Sequence, residues 1–397
     1  MKIIGFQAGH DVSYCILENG VPIIHEELER FTREKEPSGD GLEMFFDNQP
    51  NYINLSKSNY SFCYGGLGYE RGAYSEKARD FNKMRDIIKK SNGEFYVIGH
   101  HQSHASNAFF SSNFDEALIL TIDGGGVEKG NTEDWVHDTK ELMQIGEYCD
   151  FRSQSPNMGA GTVAVTLWEG KDNKIHRIKA FNNHKVNIGN FWNACLVQIF
   201  GLRCGGGKGQ GGNQAGTVMG MAPLGDGSAK YKEINNQSCY EKFFSEFKKL
   251  YHNNIVWPNM YSYLKPLTDS FKKIADKGEQ HKFNVAMGLQ QATESIIKEI
   301  LSEYLVKYPY KNLCVSGGVS LNAVAMGKMY DWFPSIENIY CDPVPYDGGL
   351  SLGSARYVWH HILDNPRIKW KNNSTPYLGR KYSLKDIEKA INKINNT

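Results

Sequence analysis

Apolar positions fall in short runs over the first half of the chain and at helical spacing over much of the second, a pattern that predicts a mixed α/β protein. Lys2–Gln7, Ser13–Leu17 and Val21–His25 read as strands, the last two joined by Asn19-Gly20. Asn-Gly favours the positive φ angles that two-residue hairpins need. The loop Ala8-Gly9-His10-Asp11 separates the first two strands. After a polar, tyrosine-rich stretch, Phe95–Ile98 is a short strand that runs into a helical segment, His100–Ser111. Ala117–Ile122 is an apolar strand stopping at Asp123-Gly124-Gly125-Gly126, and the polar residues 127–157 read as an insertion. Thr162–Trp168 and Ile175–Phe181 form a second hairpin, turning at Gly170–Asn173. Phe191–Phe200 is a helix leading into the glycine-rich loop Gly205–Gly212. In Phe283–Tyr308, Val285, Leu289, Ala292, Ile296, Ile300 and Tyr304 recur at helical spacing and predict a long amphipathic helix. Strand Asn312–Val315 enters Ser316–Asn322 and another helix; strand Ile336–Cys341 enters Pro343–Gly349 and a closing helix through His361. A glycine-bearing loop within a hairpin thus comes twice, as expected of a duplicated α/β fold with a nucleotide between two lobes.

Composition narrows the class without naming a function. With 40% hydrophobic and 22% charged residues, the 397-residue chain is an ordinary globular one. A formal net charge of +1 provides no whole-molecule field for nucleic acid or membrane, although it leaves room for a local basic groove. No stretch approaches the ~20 apolar residues that span a bilayer, and Met1–Gln7 reads as a strand, not a signal peptide. The 8 cysteines are scattered with no CxxC pair, which points to free thiols in a reducing cytoplasm.

The densest chemistry lies in His100-His101-Gln102-Ser103-His104. Imidazoles at i and i+4 share a helix face, so His100 and His104 can chelate one cation while His101 turns aside. The zincin pattern fails, because no glutamate follows the first histidine. Asp123 ends an apolar strand ahead of Gly124 and Gly125, whose backbone N–H groups can face a phosphate. Asp347 holds the matching strand-end position near the C-terminus. Two imidazoles and two carboxylates suit Fe(II), Mn or Zn in an open site. Gly317 and Gly318 let a nucleotide approach the backbone, with Asn322 placed for a ribose or base. By charge pattern alone, Glu27–Lys35 is a solvated helix face.

Together these segments resemble the N-terminal catalytic domain of the O-carbamoyltransferases of antibiotic tailoring and nodulation-factor synthesis. The resemblance is carried by Gly9-His10-Asp11, Glu29–Lys35, His100–His104, Thr121-Ile122-Asp123-Gly124, Val218–Pro223 and Ser316-Gly317-Gly318, spread over most of the chain. It implies an actin/hexokinase-like fold of duplicated RNase H-like lobes, with residues 1–115 and 116–365 as the lobes. It also implies a divalent metal on His100, His104, Asp123 and Asp347, and a transfer site lined by His10 and Lys35. In such enzymes carbamoyl phosphate and ATP give carbamoyl adenylate in a YrdC-like domain, and the group then passes to an alcohol. The expected acceptor is a small-molecule alcohol or the hydroxymethyl group of 5-hydroxymethylcytosine in phage-type DNA. Residues 366–397 resemble only the entrance to a YrdC-like domain, and the adenylate is expected from such a domain or from a partner. The chain reads Ala215-Gly216-Thr217 where the family usually has Glu-Gly-Lys. A tRNA-type threonylcarbamoyl transferase and a non-catalytic nucleotide-binding subunit are the rival readings.

Overall fold

The computed structural model describes residues 1–37, 44, 58–64, 93–127, 136–137, 162–182, 186–205, 212–227, 237–252, 260–369 and 382–395. The expected insertion (apart from 127 and 136–137), the interior of the glycine loop and the tail motif at 377–380 lie outside these residues.

Two sheets share one strand order. In the first, β1 (Lys2–Ala8), β2 (Ser13–Glu18) and β3 (Val21–Glu27) form an antiparallel meander. β4 (Ser58–Tyr64) then pairs parallel to β1, and β5 (Phe95–Ile98) parallel to β4. The second sheet repeats the scheme. β6 (Glu116–Val127), β8 (Thr162–Lys171) and β9 (Lys174–Asn182) form the meander, with β10 (Asn312–Ser316) parallel to β6 and β11 (Asn338–Cys341) parallel to β10. The two-residue β7 (136–137) closes the edge of the first sheet. A meander followed by two parallel strands, occurring twice, is the duplicated RNase H-like arrangement of the actin/hexokinase-like fold.

Helices fill the layers. α1 (Glu29–Thr32) is a single turn after β3. α2 (His100–Ser111) follows β5 and is buried along its whole length. The outer face of the second sheet is covered by α3 (Ile188–Gln198), α4 (Ala215–Met221), α5 (Cys239–His252), α6 (Met260–Ala275) and α7 (Glu279–Lys307). Two short helices, α8 (Ala323–Gly327) and α9 (Met329–Trp332), precede β11. α10 (Leu350–Arg356) follows β11 and passes into a π-helical stretch, Tyr357–Ile362; α11 (Leu384–Asn395) comes last.

Side-chain alternation along β6 explains the layering. Leu118, Leu120 and Ile122 join the outer core with the stripe of α7, whereas Ala117 and Ile119 join the inner core with Ala105, Ala108 and Phe109 of α2. The helices of the two halves are exchanged: α2 packs on the second sheet and α10 on the first. Small residues permit the close approach of α10. A Cβ at Gly5 would lie 2.1 Å from the Ser351 carbonyl oxygen, and Ser13 and Ser61 bond the hydroxyls of Ser351 (2.8 Å) and Ser354 (3.1 Å). This is why β4 looks polar in sequence although it is a central strand. Where the two helices cross, a Cβ on Gly353 would lie 2.0 Å from the Ser103 carbonyl oxygen.

Other departures from the sequence expectation are local. β6 does not end at Ile122; it runs on to Val127, with Asp123–Gly125 bulged against a single residue of β8. Bulges of this kind re-aim side chains next to functional sites. Glu27–Lys35 contains only one helical turn, because Arg33 and Glu36 adopt positive φ (60° and 48°) and bend the chain back.

Candidate metal centre and transfer cleft

Both exchanged helices begin near the candidate ligands, two of which lie in the first turns of α2 and one just ahead of α10. His100 and His104 lie one turn apart on α2, Asp123 sits in the bulge of β6, and Asp347 heads the turn before α10. One ligand atom from each lies within 4.8 Å of all the others. His100 Nε2 is 2.8 Å from Asp123 Oδ2 and 3.6 Å from Asp347 Oδ1; His104 Nε2 is 3.8 and 3.4 Å from the same oxygens. Neither aspartate ends its strand, Asp123 lying in the bulge of β6 and Asp347 in a turn beyond β11, yet the two converge on the histidine pair.

The donor set fits a divalent ion. His104 Nε2 is buried and makes no hydrogen bond among the described residues, though it points at two carboxylates. A buried polar atom left in that state costs about 1–3 kcal/mol unless something occupies the space it faces. Burial opposes charge on Asp123, yet His100 and His104 hold its carboxyl well below the usual range. Burial likewise opposes a proton on His104, but Asp123 and Asp347 push its imidazole up to about 9. A metal would displace that proton. Asp123 is further fixed by the Gly318 N–H, which donates to Oδ1 at 3.1 Å. Gly126 has no Cβ because the His100 ring lies there, 2.2 Å from where one would be.

His101 does turn away. Its Nε2 lies 2.7 Å from the Val163 carbonyl, so that nitrogen carries the proton. Nδ1 accepts from Thr121 (2.7 Å), Thr121 bonds Thr166 (2.5 Å), and Trp168 Nε1 donates to Thr166 (2.6 Å). Every member is satisfied with a neutral ring, and burial lowers the His101 pKa to about 3.

Above the tetrad opens a cleft of about 560 Å³, lined among others by His10, Lys35, Asp123, Gly124, Gly125, Gly318, Asn322 and Asp347. His10 reaches its floor from the β1–β2 loop: Nε2 is 3.2 Å from Asp347 Oδ2, and Nδ1 is 2.8 Å from Asp11 Oδ2. The cleft walls disfavour charge on His10, but Asp347, Asp11 and Asp123 push its imidazole up to about 10. Lys35 stands at the mouth, its Nζ 3.2 Å from Glu29 Oε1. Glu29, Arg30 and Glu36 also line the cleft, so the stretch that charge pattern alone assigns to a solvated helix faces the cleft, where the resemblance places Lys35. Next to Lys35, Glu36 accepts from the Asn213 N–H at 2.7 Å.

The glycine positions divide. Gly124 and Gly125 line the cleft, with the Gly124 carbonyl held by side-chain amides of Asn187 (2.9 Å) and Asn190 (2.7 Å). Gly318 lines it too, whereas Gly317 lies behind, at φ +94° with Ile122 where a Cβ would be. Asn322 borders the cleft with its amide engaged: it exchanges hydrogen bonds with Gln290 (2.8 and 3.0 Å) and caps α8 through the Ala325 N–H. Sequence reasoning passed over Asp11, Glu36, Asn190 and Tyr346 as site residues. The signal for the first was its place in Gly9-His10-Asp11; Asn187 and Asn190 carried only the spacing of a helix cap.

Residues 11–356 match the family described as Carbamoyltransferase N-terminus. The chain belongs to that family. A nodulation protein, NolO of Bradyrhizobium diazoefficiens, is 28% identical over 66% of this chain and 38% of its own length. NolNO of Sinorhizobium fredii is 26% identical over 65% of this chain and 30% of its own length. An uncharacterised protein of Synechocystis sp. is 25% identical over 97% of this chain and 62% of its own. The chain thus spans less than two thirds of each of these relatives. Among solved structures, component A of (R)-2-hydroxyglutaryl-CoA dehydratase from Acidaminococcus fermentans aligns over 92% of this chain and 100% of its own (TM-score 0.47, 10% identity). HypF of T. kodakarensis aligns over 91% of this chain and 47% of its own at the same score and identity. Among the described residues no helix is long and apolar enough to cross a membrane.

Proposed function

We propose that the cleft transfers a carbamoyl group from carbamoyl adenylate to an acceptor hydroxyl. The observation that carries this reading is the four-residue donor set on the floor of a cleft whose walls present His10 and Lys35, in a chain of the carbamoyltransferase family. The adenylate comes from carbamoyl phosphate and ATP through a YrdC-like domain or partner. Its phosphate lies against the backbone of Gly124, Gly125 and Gly318.

In the transfer, the acceptor oxygen bonds the carbamoyl carbon, the bond from that carbon to the AMP oxygen breaks, and AMP leaves. With a divalent ion bound, the charges of Asp347 and Asp123 that keep His10 protonated would be offset, and the neutral ring, which Asp11 orients through Nδ1, takes the acceptor proton. Lys35 offsets negative charge on the departing AMP. His100, His104, Asp123 and Asp347 hold Fe(II), Mn or Zn, which supplies Lewis acidity towards an anionic or carbonyl oxygen. The acceptor is a small-molecule alcohol or the hydroxymethyl group of 5-hydroxymethylcytosine in DNA.

The test supplies preformed carbamoyl adenylate to the metal-loaded chain with either a panel of sugar alcohols or DNA containing 5-hydroxymethylcytosine. Products, and nucleosides after digestion, are read by mass spectrometry for one added carbamoyl group. Wild type labels one acceptor class and His104→Ala labels none. No labelled product from any hydroxyl, or transfer of threonylcarbamoyl instead, overturns the reading.

A further inference from the structure

His100, His104 and Asn107 stand at i, i+4 and i+7 of α2, so the face that carries the two histidines continues into a buried amide. Asn107 is 1% exposed, and it bridges two buried charged groups of the other half. Its Nδ2 donates to Asp342 Oδ1 at 3.0 Å and approaches the Val344 carbonyl at 3.4 Å; its Oδ1 accepts from Arg356 Nη1 at 2.7 Å. Arg356 also donates to the Ser111 hydroxyl, one turn further along the same helix. Asp342 Oδ1 accepts a second bond, 2.8 Å, from the Val344 N–H.

These contacts bear on one segment, residues 342–347, which runs from the end of β11 to Asp347. Val344 is fixed by Asp342 and Asn107. Pro345 is fixed by the Gly317 N–H, which donates to its carbonyl at 2.7 Å, and Tyr346 by its hydroxyl on Glu27 Oε1 at 2.8 Å. Space is tight as well: a Cβ on Gly349 would lie 2.2 Å from the Val344 oxygen and 2.8 Å from Asn107 Nδ2. Of these anchors, only Asn107 comes from the helix that carries the histidine pair.

We infer that Asn107 is the positioning residue that sets Asp347 against His100 and His104, with Asp342 and Arg356 as its two partners. Its amide is suited to this because it donates to the carboxylate and accepts from the guanidinium at once. An aspartate there would keep the bond to Arg356 but place two carboxylates face to face, releasing the 342–347 segment without removing any ligand. The inference rests on the metal centre proposed above.

The test is zinc affinity of the full chain, measured by chelator competition, with thermal unfolding of the zinc-free protein as the fold control. Asn107→Asp loses affinity by about 10- to 100-fold, the range found when partners of metal ligands are removed. Combining it with Asp342→Asn moves the carboxylate across the bond and restores a donor–acceptor pair, so affinity returns to within about threefold of wild type. If Asn107→Asp does not fold, Asp342→Ala, which removes the acceptor for both Asn107 and Val344, gives the same loss. Wild-type affinity in a folded Asn107→Asp or Asp342→Ala protein overturns the assignment, as does a folded double variant that stays as weak as the single one. Wild type that takes up no zinc refutes the metal centre itself and this role with it, which separates that failure from the first two.

Discussion

His101 and His104 are three residues apart on one helix and are driven in opposite directions. His101 faces the Val163 carbonyl and a string of hydroxyls that accept a neutral ring; His104 faces two carboxylates. Their effects on stability therefore oppose each other in pH. Burial brings His101 from 6.5 to about 3 in the folded protein, so what it contributes is present above pH 6.5 and is lost as pH falls towards 3. Asp123 and Asp347, outweighing burial, lift His104 from 6.5 to about 9, so its contribution is present below pH 6.5 and is lost as pH rises through 9. His360, lowered by burial to about 3, reinforces the acid limb. Denaturant midpoints of chelator-treated protein should pass through a maximum near pH 6.5. Zinc should flatten the alkaline limb, since the ion takes the place of the His104 proton. A profile that climbs steadily with pH, with or without zinc, contradicts this account of His104.

At the level of elements, the site is made by the crossing of α2 and α10. Each helix starts at the cleft, so their separation sets the distance from the histidine pair to Asp347. That separation depends on Gly353, where a Cβ would come within 2.0 Å of the Ser103 carbonyl oxygen. The obstacle is helix backbone, which cannot swing aside as a side chain can. Gly353→Ala should cost roughly 1–3 kcal/mol or more, the usual penalty for overpacking a core. The same variant should also hold zinc more weakly in protein that remains folded. Denaturant titration and metal retention on a desalting column measure the two effects separately. An alanine variant as stable as wild type and fully retaining zinc would show that the crossing tolerates the extra volume.

For the whole molecule, the proposed transfer depends on groups delivered to one cleft from both halves. Lys35 and His10 come from the first sheet's connections, and the glycine backbone at 124–125 and 318 from the second. Lys35 is exposed and His10 is half exposed, so neither supports much of the core. In zinc-loaded protein, where the ion offsets the carboxylates that His10 faces, Lys35→Ala and His10→Ala should therefore unfold at nearly the wild-type temperature. In the adenylate assay each should lose about 10²-fold or more in turnover, the range for positioned acid–base and electrostatic groups. Turnover near wild type in both would return Lys35 to a surface ion pair with Glu29 and His10 to a loop residue.

Local physics was legible in the chain. The Asn19-Gly20 hairpin, the stripe of α7 and the i, i+4 pair His100 and His104 follow from backbone preference and helical period, which act over a few residues. That Asp123 and Asp347 join the histidine pair is an expectation of the family resemblance, not of local pattern. What distance along the chain conceals is decided by packing. Ser58–Tyr64 reads as polar in part because Ser61 meets Ser354 of a helix almost three hundred residues later, and it is a central strand because β1 and β5 pair on either side of it. By charge pattern alone Glu29–Lys35 reads as a solvated helix, because charge pattern does not record the cleft it faces; the family resemblance is what points Lys35 there. Charge pattern reports what a residue can pair with, but which partner is present depends on how the two halves close. That closure brings Asp123 and Asp347, 224 positions apart, onto one pair of histidines.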